Sequence, residues 1–138
     1  MVTSVATDRD TAEATCVASG GHLATITSSA QNSALVSAFS AQVTSSPCIY
    51  GDNCFWIGYK RVYSGGAFAW TDNSTSTYTN WGSTLDNCGG CEACTHVRTS
   101  GSWNDVACSL STDTCGDGKL GSYQGLCKRS GNMLCMCH

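Results

Sequence analysis

The hydrophobic pattern of the chain changes its period near residue 55. Before that point the apolar residues fall at helical spacing. Asp10-Thr11-Ala12-Glu13 reads as a helix N-cap with Glu at N3, a variant of the capping box. Ala14, Cys16 and Val17 are predicted to face inward from this helix, and Gly20-Gly21 ends it. Leu23-Ala24-Thr25-Ile26 reads as a short apolar turn or strand. A second helix is predicted from about Ser29 to Val43, where Leu35, Ala38, Phe39 and Val43 recur on one face. The only proline, Pro47, follows it.

After residue 55 the pattern is that of strands. Phe55 to Tyr59 is an aromatic and β-branched run. Phe68-Ala69-Trp70 is a second strand, reached through a turn at Ser64-Gly65-Gly66. Gly82 to Cys91 is turn-rich and reads as loop. Thr95-His96-Val97 is a third strand, and Gly101-Ser102 turns the chain into Trp103. Cys108 to Gly125 reads as an irregular insertion, and Met133 to Met136 as a final strand. Two helices followed by several short strands predict an α+β fold. No repeat or linker divides the chain, so residues 1–138 are expected to form one domain.

Composition narrows the setting. Eleven of 138 residues are Cys, at the edge of what marks a disulfide scaffold. Reducing compartments do not maintain such bonds, so an extracellular setting is expected. Residues Met1 to Asp10 lack a basic start and an apolar core, so no signal peptide is visible, and secretion would need one removed or a longer precursor. The net charge of -3 and the lack of a basic run argue against a nucleic acid partner. No apolar stretch is long enough for membrane insertion. No nucleophile–base pair or open catalytic metal site can be read, so no enzymatic activity is expected.

The motifs carry a resemblance. Ala12 to Cys16, then Gly20-Gly21-His22-Leu23-Ala24, then Trp56-Ile57-Gly58 fall in order along the chain. Phe68-Ala69-Trp70-Thr71-Asp72, Tyr78 to Trp81, Glu92-Ala93-Cys94 and Trp103-Asn104-Asp105-Val106-Ala107-Cys108 complete them. In this order and spacing the chain resembles the C-type lectin-like domain, over most of its length. The resemblance implies an α+β fold of two helices flanking short antiparallel sheets with a long loop. It also implies a disulfide plan: Cys16 with Cys135, Cys94 with Cys108, Cys48 with Cys54, and Cys115 with Cys127. Cys88, Cys91 and Cys137 are left over. Three cysteines cannot all pair internally, so one is free or joined to another chain.

The resemblance also implies a calcium site. Ca²⁺ takes about six to eight hard oxygen ligands, which acidic and amide side chains on loops supply. The sugar-binding members draw theirs from the long loop, a Glu before the third-strand Cys, and the Asn-Asp after the Trp. Those positions fall here on Asp86, Asn87, Glu92, Asn104 and Asp105. The loop triplet is Leu85-Asp86-Asn87, without the family's cis proline. A cis bond before Asp86 would cost roughly 3 kcal/mol, so the loop is expected to be built differently.

Other features have structural readings. Trp56, Trp70 and Trp103 are expected in the core, Trp81 is expected there with less weight, and Tyr78 is a weak candidate for touching a ligand. Cys88, Cys91 and Cys94 share metal-ligand spacing, but Cys94 is wanted by the bridge to Cys108. His22 is read as structural, and Asp8 and Asp10 as caps. Asn73-Ser74-Thr75 is a glycosylation sequon in a predicted loop. The expected function is ligand binding outside the cell, by calcium-dependent contact with carbohydrate through the long loop. The alternative is a protein-binding or structural module of an extracellular assembly such as an adhesion complex, joined by an intermolecular disulfide through Cys88, Cys91 or Cys137.

Overall fold

The computed structural model describes residues 1–3, 7–43, 47–48, 52–63, 65–82, 85, 91–109, 111 and 122–129. Helix α1 spans Arg9–Ala18 and starts two residues earlier than the sequence predicts. Asp8 is its N-cap, its carboxylate accepting from the Thr11 N–H at 2.8 Å and the Thr11 hydroxyl at 2.9 Å. Such a cap is worth about 1 kcal/mol. Asp10 instead lies in the first turn, 3.3 Å from the Lys60 ammonium. Glu13 does not cap; its carboxylate meets His22 Nδ1 at 2.6 Å and accepts from the Leu23 N–H at 2.8 Å. The buried stripe is Arg9, Ala12 and Cys16, at the i, i+3 and i+7 positions of one helix face. Ala14 and Val17 fall off that stripe and are exposed, against expectation.

Strand β1, Gly21–Leu23, follows at once. Helix α2, Ser29–Phe39, is capped by the Ser28 hydroxyl and tightens into a 3-10 turn over Ser40–Gln42. Leu35, Phe39 and Val43 are buried as expected, whereas Ala38 is exposed. Strands β2 (Cys54–Arg61), β3 (Phe68–Trp70), β4 (Cys94–Arg98) and β5 (Trp103–Val106) form a sheet in the order β3-β2-β4-β5. Strand β6 (Gln124–Gly125) pairs parallel to β2, and β7 (Cys127–Arg129) pairs antiparallel to β1.

Strand alternation splits the interior in two. Phe55, Ile57, Val97 and Trp103 face α2 with Leu35 and Phe39. Trp56, Val106 and Tyr123 pack on the other side, toward Ala12 and Cys16 of α1. Trp56, Trp70 and Trp103 are all buried, and each indole N–H finds an oxygen acceptor.

Strand β7 corrects the disulfide plan. Leu23 pairs with Cys127 and Gly21 with Arg129, so Cys127 comes to lie beside α1. A Cβ on Gly21 would lie 2.1 Å from the Lys128 carbonyl oxygen, so only glycine permits this approach. The bridge is therefore Cys16–Cys127, with Cα atoms 5.2 Å apart, and neither Cys16–Cys135 nor Cys115–Cys127 forms. The sequence misleads here because β7 carries Lys128 and Arg129 on a half-exposed two-stranded edge, whereas Met133 to Met136 has the more strand-like composition. Cys115, Cys135, Cys137 and the segment 133–136 lie outside the described residues. Cys48–Cys54 and Cys94–Cys108 are both present. Cys91 is disulfide-bonded as well, which removes it from the candidates for an intermolecular bridge.

The Cys16–Cys127 bridge closes 111 residues, which in chain-entropy terms is worth about 4–5 kcal/mol. A Cys16→Ser variant is expected to lose stability on that scale in chemical denaturation. Non-reducing peptide mapping is expected to recover residue 16 linked to residue 127, and a peptide linking 16 to 135 would refute the assignment.

Candidate functional site

The end of the molecule that carries the long loop is held by one buried amide. Asn32 on α2 is 4% exposed. Its Oδ1 accepts from Trp103 Nε1 at 2.8 Å, and its Nδ2 donates to the Gly101 carbonyl at 2.9 Å. Asn80 Nδ2 donates to the same carbonyl at 2.8 Å. The Asn80 carbonyl in turn accepts from the Trp103 N–H, and the Trp103 carbonyl from the Gly82 N–H, both at 2.9 Å. Gly101 sits at φ +100°, a conformation that side chains other than glycine's rarely adopt. Helix α2, the β4–β5 turn and the start of the long loop therefore meet at Trp103.

That anchor sets the residues after it. Thr95 pairs with Asp105 and His96 with Asn104, so Asn104 and Asp105 leave β5 on opposite faces. Asn104 shares its face with His96, whose ring lies edge-on to Tyr123 at 4.8 Å. Both Asn104 and His96 are buried. Asp105 is wholly buried, and its Oδ2 lies 3.6 Å from Arg61 Nη2. Arg61 also donates from Nε to the Glu92 carbonyl at 3.2 Å and from Nη1 to the Gly66 carbonyl at 2.7 Å. Its guanidinium lies 4.5 Å from the centre of the Phe68 ring. Glu92 itself is 1% exposed. Of the five expected ligands, Asp105 meets Arg61 through its carboxylate and Glu92 through its backbone carbonyl, Asn104 leaves β5 on the opposite face, and Asp86 and Asn87 lie outside the described residues.

Beside this corner runs an aromatic group. Tyr59 stacks on Phe68 at 5.1 Å and meets Trp70 at 4.5 Å, and Phe68 lies 5.2 Å from Trp81. Burial raises the Tyr59 phenol above its ordinary value. Trp81 is half-buried, 5.8 Å from Trp103, and packs on the core. Tyr78 packs on it too, its ring 5.7 Å from Trp103.

Comparison with known proteins places the chain. Residues 6–114 match the family described as the Lectin C-type domain. The chain belongs to that family. Among its relatives is an alpha-N-acetylgalactosamine-specific lectin of Patiria pectinifera, 34% identical over 93 residues, which cover 64% of this chain and 52% of that protein. The chain spans about half or less of the length of the curated relatives it matches. The cow carbohydrate-recognition domain of CD23, crystallised in the presence of a GlcNAc2Man3 oligosaccharide, superposes with a TM-score of 0.69 at 23% identity. The match covers 96% of this chain and 87% of that one. A calcium-independent type II antifreeze protein superposes with a TM-score of 0.66 at 24% identity, covering 91% of this chain and 80% of that one. These two likenesses show the fold.

Membership in the lectin family raises the question of calcium. Among the described residues no group of three or more His, Cys, Asp and Glu side chains is placed to hold a metal ion. Asp105 already faces a guanidinium, and Asn104 is on the opposite face. Of the expected donor set, Glu92, Asn104 and Asp105 are described, and Asp105 lies 3.6 Å from the Arg61 guanidinium. Thiolate ligation of zinc by Cys88, Cys91 and Cys94 is excluded too, since Cys91 and Cys94 are in disulfides.

Two residues escape a reading of the sequence. Asn32 is a polar residue on the buried face of α2, at i-3 from Leu35, and that misplacement in the apolar pattern is its only signal. Arg61 ends β2 after the half-buried Tyr59 and Lys60, and nothing local marks it. Replacing Asn32 by Leu leaves the buried indole N–H of Trp103 without its acceptor. The expected cost is about 1–3 kcal/mol, read as a lower denaturation midpoint; an unchanged midpoint would contradict the anchoring role.

Proposed function

We propose that this chain is an extracellular carbohydrate-binding module that engages glycans at its long-loop end. The observation that carries the reading is the 34% identity over 93 residues to an N-acetylgalactosamine-specific lectin. The anchoring at Trp103 supports it, because a rigid floor beneath long loops is how binding loops are held in place. The three described bridges and the bonded Cys91 support an oxidising compartment. Among the described residues no helix is long and apolar enough to cross a membrane. We treat residues 1–138 as one such domain. Asn73 is exposed, at φ +62°, in the loop leaving β3, which suits it to carry the glycan its sequon invites.

The finer version of this reading has calcium bridging the protein and the sugar through Asp86, Asn87, Glu92, Asn104 and Asp105. The pairing of Asp105 with Arg61 and the burial of Asn104 on the opposite face of β5 favour a form of binding that needs no such bridge. A protein ligand is the second reading. It draws on Val62 and Tyr63, each 70% exposed after β2.

A glycan array run in calcium and again in chelator tests the proposal. Selective binding to a subset of glycans is expected, equal in both conditions. Binding lost in chelator would restore the calcium-bridged version, and no glycan bound in either condition would refute the carbohydrate reading.

A further inference from the structure

The tip of the β2–β3 hairpin carries an aromatic ring that the fold leaves in water. Tyr63 is 70% exposed, and among the described residues it is the one exposed aromatic side chain. The ring does not hang free. Gly66, three residues on, is buried, although Gly65 and Ala67 on either side of it are exposed. Its cover is Tyr63. A Cβ built on Gly66 would lie 2.8, 2.9 and 2.9 Å from the ring carbons Cε2, Cδ2 and Cζ. Three adjacent carbons at nearly one distance place that point over the face of the ring, since an edge-on approach would bring one of them much closer than its neighbours. The turn beneath is closed by the Gly66 N–H donating to the Tyr63 carbonyl at 2.8 Å and the Val62 N–H to the Ala67 carbonyl at 3.0 Å. The Gly66 carbonyl accepts from Arg61 Nη1 at 2.7 Å, which ties the turn to the long-loop corner.

We propose that Tyr63, laid on Gly66, is a stacking platform for a pyranose ring, a sugar subsite on the hairpin that uses no metal ion. One face of the aromatic ring covers Gly66 and the other is open. The face of such a ring is electron-rich, and the C–H bonds on the apolar side of a pyranose are weakly positive, so the two surfaces fit face to face. A protein partner takes an aromatic side chain as an anchor that fills a pocket, and a ring lying flat against its own chain cannot enter one. Little freedom is left to lose on binding, because the ring is already held. The ligand class is a neutral glycan with one unsubstituted C–H face. Gly66 is a positioning residue, since any side chain there lifts the ring. The inference rests on the carbohydrate reading above and adds a place of contact to it.

An array of neutral glycans in chelator, read over a series of protein concentrations with the full chain and its variants, tests it. Tyr63→Ala is expected to bind about tenfold more weakly than the wild type. Tyr63→Phe keeps the ring and is expected to bind within about twofold of the wild type. Gly66→Ala is expected to weaken binding as Tyr63→Ala does. The backbone at Gly66 lies outside the left-handed region, so alanine fits the turn and displaces the ring. The double variant Tyr63→Ala with Gly66→Ala is expected to bind no more weakly than Tyr63→Ala, because Gly66 acts through the ring. Equal binding by the wild type and Tyr63→Ala would overturn the inference and leave the carbohydrate reading in place. A double variant weaker than both single ones would also overturn it. A wild type that binds no neutral glycan would overturn the inference and the carbohydrate reading together.

Discussion

The hydrogen bond from the Trp103 indole to Asn32 is the fixed point of this molecule. A buried indole N–H and a buried amide each require partners, and here they satisfy one another. The same amide reaches the Gly101 carbonyl, so the turn before β5 is tied to α2 from inside the core. Once Trp103 is set, strand alternation decides the rest. Asn104 must go to the α1 side, among His96 and Tyr123, and Asp105 must go to the side of Thr95 and Arg61. The chemistry of the loop end is thus a consequence of the core beneath it.

The buried carboxylate of Asp105 has a cation beside it, the Arg61 guanidinium at 3.6 Å. A planar guanidinium suits the place because its donors serve the Gly66 and Glu92 carbonyls while it faces the carboxylate. The flat face of Phe68 covers it. Bulk salt screens such a withdrawn group weakly.

Much of the fold was legible in the sequence, and what was missed has physical causes. Strand β3 falls where its aromatic run predicts it, and α2 starts where Ser28 permits. The inward face of α1 was misjudged because Ala14 and Val17 are as apolar as Ala12 and Cys16, and only packing distinguishes them. Strand β7 was not read because it is a polar edge, whose cations mask its pairing with β1. At the site, the sequence marks Glu92, Asn104 and Asp105 through their neighbours Cys94 and Trp103. It does not mark Arg61, because contact between residues 61 and 105 depends on the register of β2 against β4, including the irregularity between Trp56 and Lys60. Charge pairing across a sheet is written in three dimensions, and adjacent letters do not carry it.

The most direct measurement is a high-resolution crystal structure of the unaltered chain grown in a calcium-rich solution. The account predicts planar guanidinium density between the Asp105 carboxylate and the Glu92 carbonyl, with no ion in that corner. An ion with seven or eight oxygen ligands between Glu92 and Asp105, and Arg61 turned out to solvent, would contradict it.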